Sequence, residues 1–223
     1  LRSRLGLRVK APYQMTDMMC DVAGLLDNLK ANPAHVVGMS MGGMIAQLLA
    51  IHEPRRVKSL VSIMSSTGSR RLPGPTWAVS KHMLSRPRNA TKEAGMEYLR
   101  ILWRLLGSPG YPVSNDELDD YSNRLIDRGM TAEGMVRQRL AVMAAPSRVA
   151  DLAKLDVPSL IIHGDADPLV PVECGMDTAN SIPEARMEIF YGMGHDLPEM
   201  LVSAISSLII DHAVDADSDC TNR

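Results

Sequence analysis

Aromatic side chains are scarce in this chain: one Phe, two Trp and five Tyr among 223 residues, set against 16 Met. Cysteine is scarcer still. Cys20, Cys174 and Cys220 are odd in number and widely spaced, which excludes a disulfide framework and fits free thiols in a reducing compartment, the cytoplasm. No run approaches the roughly 18 apolar residues of a membrane span, and the N-terminus has no signal-peptide hydrophobic stretch. Neither charge dominates: 24 basic against 26 acidic side chains give a net charge of −2. Without a long basic run, nucleic acid and anionic membrane surfaces are poor partners. Arg2, Arg4, Arg8 and Lys10 form only a loose basic cluster, read as a solvated strand or loop. No histidine pair has zincin spacing and no Cys/His cluster exists, so no metal site is expected. No internal repeat is visible.

What is present is a core and a motif. Apolar residues make up 45% of the chain, enough for one sizeable core. Gly38-Met39-Ser40-Met41-Gly42 lies between the apolar run His35-Val36-Val37 and the helix-like stretch Met44 to Ala50. Strand, sharp turn and helix with a serine at the apex is the nucleophile-elbow pattern G-x-S-x-G. A strained backbone lifts the hydroxyl clear of the sheet. Glycines two residues to either side, Gly38 and Gly42, leave room for strand and helix to approach, and the helix N-terminus favours developing negative charge. The bland alternative is a glycine-rich turn with a solvated serine.

A serine hydroxyl at neutral pH needs a histidine to take its proton and a carboxylate to fix that histidine's tautomer. Both lie downstream. Val157 to Ile162 reads as a buried strand and runs into His163-Gly164-Asp165-Ala166-Asp167-Pro168-Leu169-Val170-Pro171. Met187 to Phe190 reads as another and ends in Tyr191-Gly192-Met193-Gly194-His195-Asp196. Ser40, an acid and a histidine thus each follow a strand, where ligands collect in open α/β sheets. His163 reads as a structural or lining residue, His35 as a satisfied boundary residue, and His52 as a helix-end cation before Pro54. Asp165 can hydrogen-bond within its own turn, and Asp196 can support His195.

Elsewhere, Thr16 is placed to cap a helix to about Leu29, broken by Asn32-Pro33. Val57 to Met64 reads as a strand. From about Pro75 to Ala145 the pattern is helical only, with starts at Thr91-Lys92-Glu93, Asn115-Asp116-Glu117 and Thr131-Ala132-Glu133. A helical insertion between two strands is how a cap reads in sequence. A last helix runs from about Pro198 to Asp211, and the acidic tail, 213–223, reads as disordered.

Together, Gly38 to Gly43, His163 to Pro171 and Gly192 to His195 resemble the α/β-hydrolase superfamily. The resemblance spans about residues 13 to 212, with a divergent middle, and is strongest to cap-bearing serine esterases similar to anthracycline methylesterases. It implies an α/β fold with a mostly parallel sheet, of which only the C-terminal strands are present. Core would occupy 1–68 and 147–212, and a helical cap 69–146. The family motif selects Asp167 over Asp165. Carried over, Ser40 is the nucleophile, Asp167 the acid and His195 the base, with the Met41 N–H facing the oxyanion. The expected activity is hydrolysis of a carboxylic ester of an apolar small molecule through an acyl-enzyme, with no cofactor. A C–C bond hydrolase, a cofactor-free haloperoxidase or perhydrolase, and a non-catalytic receptor-like hydrolase fold are the alternatives. Met39, Trp77, His82, Trp103, Tyr121, Met143 and Val170 are the expected pocket residues, with plain core filling as the competing reading for the methionines. The family's nucleophile follows the fifth strand, yet only about 35 residues precede Val36 here. The strands before it and the second oxyanion donor have no counterpart, so the chain reads as N-terminally truncated.

Overall fold

The computed structural model describes residues 9–85 and 91–221, with side chains through 218. Arg2, Arg4, Arg8 and the Cys220 side chain fall outside them. Four strands, β1 (Ala34–Met39), β2 (Val57–Ile63), β3 (Ser159–Gly164) and β4 (Arg186–Phe190), form one parallel sheet in the order β1-β2-β3-β4. Among the described residues β1 pairs with β2 alone. Helices cover both faces of the sheet, so β3 is buried at every position and its centre, Leu160-Ile161-Ile162, is apolar without alternation.

Strand alternation sorts the core into two clusters. Leu60 and Ile161 face α1 (Met15–Asn28) and α2 (Met41–His52), meeting Met15, Met19, Leu48 and Leu49. Val61, Ile63, Leu160 and Ile162 face the other way and meet Leu201 and Ile205 of α9 (Glu199–Thr221). Methionine and aliphatic side chains fill both clusters, as the shortage of aromatics requires. Two local expectations are corrected. Helix α1 is capped at Gln14, not Thr16: the Asp17 carboxylate accepts from the Gln14 N–H at 2.7 Å. The acidic tail is helical, because α9 continues to Thr221. Its acidic composition hides a helical period in which Leu201, Ile205, His212 and Ala216 turn inward. Asp217 turns outward and accepts from Lys58 Nζ at 2.9 Å, with His35 Nε2 at 3.4 Å.

Between β2 and β3 the chain forms α3 (Trp77–Leu84), α4 (Lys92–Leu106), α5 (Asn115–Asp127) and α6 (Ala132–Ala144), then the short α7 (Val149–Leu152). Thr76, Thr91, Ser114 and Thr131 cap the first four. Arg100 of α4 holds Asp119 of α5 through two bonds of 2.8 Å. Arg148 closes the insert at its base. Its Nε donates to Gln47 Oε1 at 2.9 Å and its Nη2 to the Ser66 carbonyl at 2.6 Å, while its N–H donates to Thr67. Burial pushes this guanidinium down to about 10. Helix α8 (Val172–Ser181) links β3 to β4, and α9 follows. No helix among the described residues is long and apolar enough to cross a membrane.

Ala216 is 2% exposed, at the far end of a helix continuous with the core. Deleting residues 213–223 is therefore expected to lower Tm by about 2–4 °C, the shift that about 1 kcal/mol produces in a chain of this size. Differential scanning calorimetry checks it; an unchanged Tm would show that the last turns add nothing.

Candidate active site

Ser40 sits between the last residue of β1 and the first of α2 with φ 54° and ψ −118°, a conformation few non-glycine residues adopt. The surroundings enforce it. The Ser40 N–H donates to Ile63 at 2.8 Å, and Ser65 Oγ donates to the Ser40 carbonyl at 2.8 Å. A Cβ on Gly38 would lie 2.2 Å from the Gly42 carbonyl oxygen, and one on Gly43 would lie 2.7 Å from Ser65 Cβ. Gly42 differs from expectation: a Cβ there meets nothing within 4 Å. It is Gly42's backbone, not its missing side chain, that needs the space at Gly38.

Asp167 and His195 arrive from the ends of β3 and β4. Asp167 Oδ1 accepts from the N–H groups of Leu169 and Val170, each at 2.8 Å. Its Oδ2 lies 2.6 Å from His195 Nδ1, and His195 Nε2 lies 2.9 Å from Ser40 Oγ. A carboxylate only accepts, so Nδ1 carries the proton and Nε2 is left free to accept from the Ser40 hydroxyl. Burial alone would raise the Asp167 pKa. The imidazole of His163, 3.6 Å away, and hydrogen bonds from the His195 imidazole and the Val170 N–H outweigh it and hold the carboxyl down to about 2. Asp165 is exposed and does not bond within its own turn; it reaches across to accept from the Gly192 N–H at 2.6 Å. The Met41 N–H is the first of α2 and has no intrahelical acceptor.

His163 is the partner that sequence did not reveal. It is fully buried; its Nε2 donates to the Val170 carbonyl at 2.8 Å and stands 3.6 Å from Asp167 Oδ2. Its Nδ1 is buried without a partner among the described residues, facing Gly175, where a Cβ would lie 2.3 Å away. The spacing of four residues to Asp167 was the available signal.

The expected pocket residues scatter. Trp77 is 79% exposed, because Val79 carries the inward face of α3. His82 stacks on Tyr98 and bonds its carbonyl at 2.9 Å, bracing α3 on α4. Trp103 packs edge-on against Tyr121, with its indole N–H buried and, among the described residues, unpartnered. Tyr121 is 42% exposed with the Arg124 guanidinium over its ring. Met143 is half-buried in α6. Val170 contributes backbone, to Asp167 and His163. Met39, at the end of β1, packs on the second core cluster, and Met41 on the first. An open cleft of about 920 Å³, bordered by Lys58, Pro158, Arg186 and His212, lies at the other end of the strands, away from Ser40.

The Asp167 carboxyl, depressed to about 2 in the fold, titrates near 3.9 when unfolded. A depressed carboxyl stabilises the fold above its unfolded pKa and loses that contribution as pH falls towards the folded value. Urea titrations should therefore show wild type ahead of Asp167→Asn at pH 7 by on the order of 2 kcal/mol from this linkage. The gap should narrow between about pH 4 and pH 2, and a constant gap would contradict the assignment.

Known proteins carry similar sequences and folds. A relative 27% identical over 220 residues is rhodomycin D methylesterase of Streptomyces peucetius, matched over 90% of this chain and 74% of its own. A 2-hydroxy-6-oxononadienedioate/2-hydroxy-6-oxononatrienedioate hydrolase of Cupriavidus pinatubonensis is 27% identical over 192 residues, 84% of this chain and 64% of that protein. The solved structure of an esterase from Exiguobacterium antarcticum superposes with a TM-score of 0.70 at 19% identity, covering 95% of this chain and 76% of the other. The model of the alpha/beta hydrolase family matches residues 1–202, and the parallel sheet with its flanking helices agrees with it: the chain belongs to the alpha/beta hydrolase family.

Proposed function

We propose that this chain hydrolyses a carboxylic ester of an apolar small molecule through a covalent acyl-enzyme on Ser40. The observation that carries the reading is the continuous hydrogen-bonded line from Asp167 Oδ2 through the imidazole of His195 to Ser40 Oγ. As Ser40 Oγ attacks the ester carbonyl carbon, His195 Nε2 takes the hydroxyl proton. Asp167 keeps the imidazole in the Nδ1–H form and stabilises the imidazolium. The tetrahedral oxyanion faces the Met41 N–H at the start of α2, where the helix dipole favours it. Collapse breaks the ester C–O bond, and the leaving alkoxide takes the proton from Nε2. Water then attacks the acyl carbon with His195 again as base, releasing the acid and restoring Ser40. The methylesterase relative supports ester over other substrates.

Ser40→Ala and His195→Ala should each lower kcat on a p-nitrophenyl ester by about 10⁴-fold or more, and Asp167→Asn by about 10⁴-fold through the wrong tautomer. A fluorophosphonate probe should label Ser40 in wild type and nothing in Ser40→Ala. Ligand retention with no labelling would instead identify a receptor-like protein. For apolar acyl groups, kcat/KM should rise about tenfold for each well-buried pair of methylenes; a flat chain-length profile counts against the apolar substrate.

A further inference from the structure

The loop that carries His195 is fastened to the helical insert as well as to the sheet. Leu106 ends α4, and its carbonyl, one of the four a helix leaves unpaired, accepts from the His195 N–H at 2.7 Å. The Gly110 N–H donates to Gly192 at 2.9 Å. Between these two bonds lies Ser108, 3% exposed. Its Oγ accepts from the Gly194 N–H at 2.7 Å and donates to Asp196 Oδ1. Its own N–H donates to Asp196 Oδ2 at 3.3 Å. Ser108 thus grips the residues immediately before and after His195. The contact has no slack, since a Cβ on Gly194 would lie 2.4 Å from the Leu106 carbonyl oxygen and 2.6 Å from that of Gly107.

We infer that Ser108 is a positioning residue for His195, with Asp196 as its partner, and that it couples the helical insert to the base. The inference rests on the hydrolase reading above. Asp167 sets the ring of His195 from the sheet side; the backbone that carries the ring is set by the Leu106 carbonyl and, at the residues on either side, by the Ser108 clamp. Removing the hydroxyl leaves the Gly194 N–H buried without an acceptor and takes the hydroxyl donor from Asp196. The loop then relaxes and Nε2 leaves its 2.9 Å station at Ser40 Oγ. A displacement of about 1 Å in such a group lowers rate by up to about 10²-fold.

Kinetics and NMR on the 223-residue chain test this. Ser108→Ala should lower kcat by about 10- to 100-fold with KM changed by less than about twofold, and Ser108→Thr, which keeps a hydroxyl, should recover most of the loss. Ser114→Ala removes the N-cap of α5, loosening the insert without touching the clamp, and should leave kcat unchanged. In the proton spectrum, the downfield Nδ1–H of His195 against Asp167 should shift or broaden in Ser108→Ala and stay in place in Ser114→Ala. Wild-type kcat together with an unmoved proton in Ser108→Ala overturns the clamp, as does an equal loss in Ser114→Ala. If the phosphonate probe fails to label wild type, the hydrolase reading falls, while the proton signal still decides whether Ser108 positions His195.

Discussion

A buried carboxylate governs the arrangement of this site. Asp167 is 5% exposed, and a charge so far from water requires donors on both oxygens. It obtains two from its own loop, at Leu169 and Val170, and one from His195 at the end of a different strand. The loop after β3 must therefore curl tightly, and the loop after β4 must lie over it. His163 adds a second imidazole beneath, itself anchored to Val170. The carboxylate, two imidazoles and Val170 form one connected polar unit, in which loss of a donor to the carboxylate exposes the charge of the acid to an apolar interior. That same requirement fixes the tautomer of His195, so the burial that endangers the acid also orients the base.

Two of the ties that hold the helical insert among the described residues are side chains of unlike kind. At its base, Arg148 is 2% exposed, and Gln47 Oε1 and the Ser66 carbonyl receive its protons. Gln47 passes the connection on to Ser62 of β2 at 3.2 Å. A guanidinium satisfied by neutral acceptors joins the outgoing and returning chain without demanding a buried counter-charge. At another contact, the end of α4 and the turn after it meet the His195 loop through the Leu106 carbonyl and Ser108. The first attachment sets where the insert stands on the sheet. The second brings its α4 end within one hydrogen bond of the backbone of His195.

Much of the fold was legible because its strands are short apolar runs bounded by Gly, Asp and Pro, and its insert helices announce themselves with Thr and Ser caps. The meeting of Ser40, Asp167 and His195 was legible for a topological reason: in a parallel sheet every strand ends on the same side, so residues just past β1, β3 and β4 converge. What was not legible depended on contacts across the chain. Ser108 is an ordinary serine between Gly107 and Pro109, and only the packing of α4 against Gly194 gives it an acceptor and a donor role. Trp77 and Tyr121 looked like pocket residues by type, yet the rotation of a helix decides which face they occupy, and type carries no phase. The tail misled in the opposite sense, since three aspartates masked the inward spacing of His212 and Ala216.

Ser40 itself is held under backbone strain. A non-glycine residue at φ 54° and ψ −118° costs on the order of 1–3 kcal/mol, and it persists only where neighbours over-determine it. Here they do so through backbone: the Ile63 carbonyl holds the Ser40 N–H, Ser65 holds its carbonyl, and Gly38 lets the Gly42 peptide pass at a distance no side chain would permit. Both Ile63 and Ser65 belong to the end of β2 and its exit, so the strand paired with β1 is also the strand that maintains the elbow. Ser40 Oγ is thereby held at the apex before any substrate arrives. What remains adjustable in the line from Asp167 to Ser40 is the imidazole between them, which is why its backbone, and not that of the serine, is where the insert makes its contact.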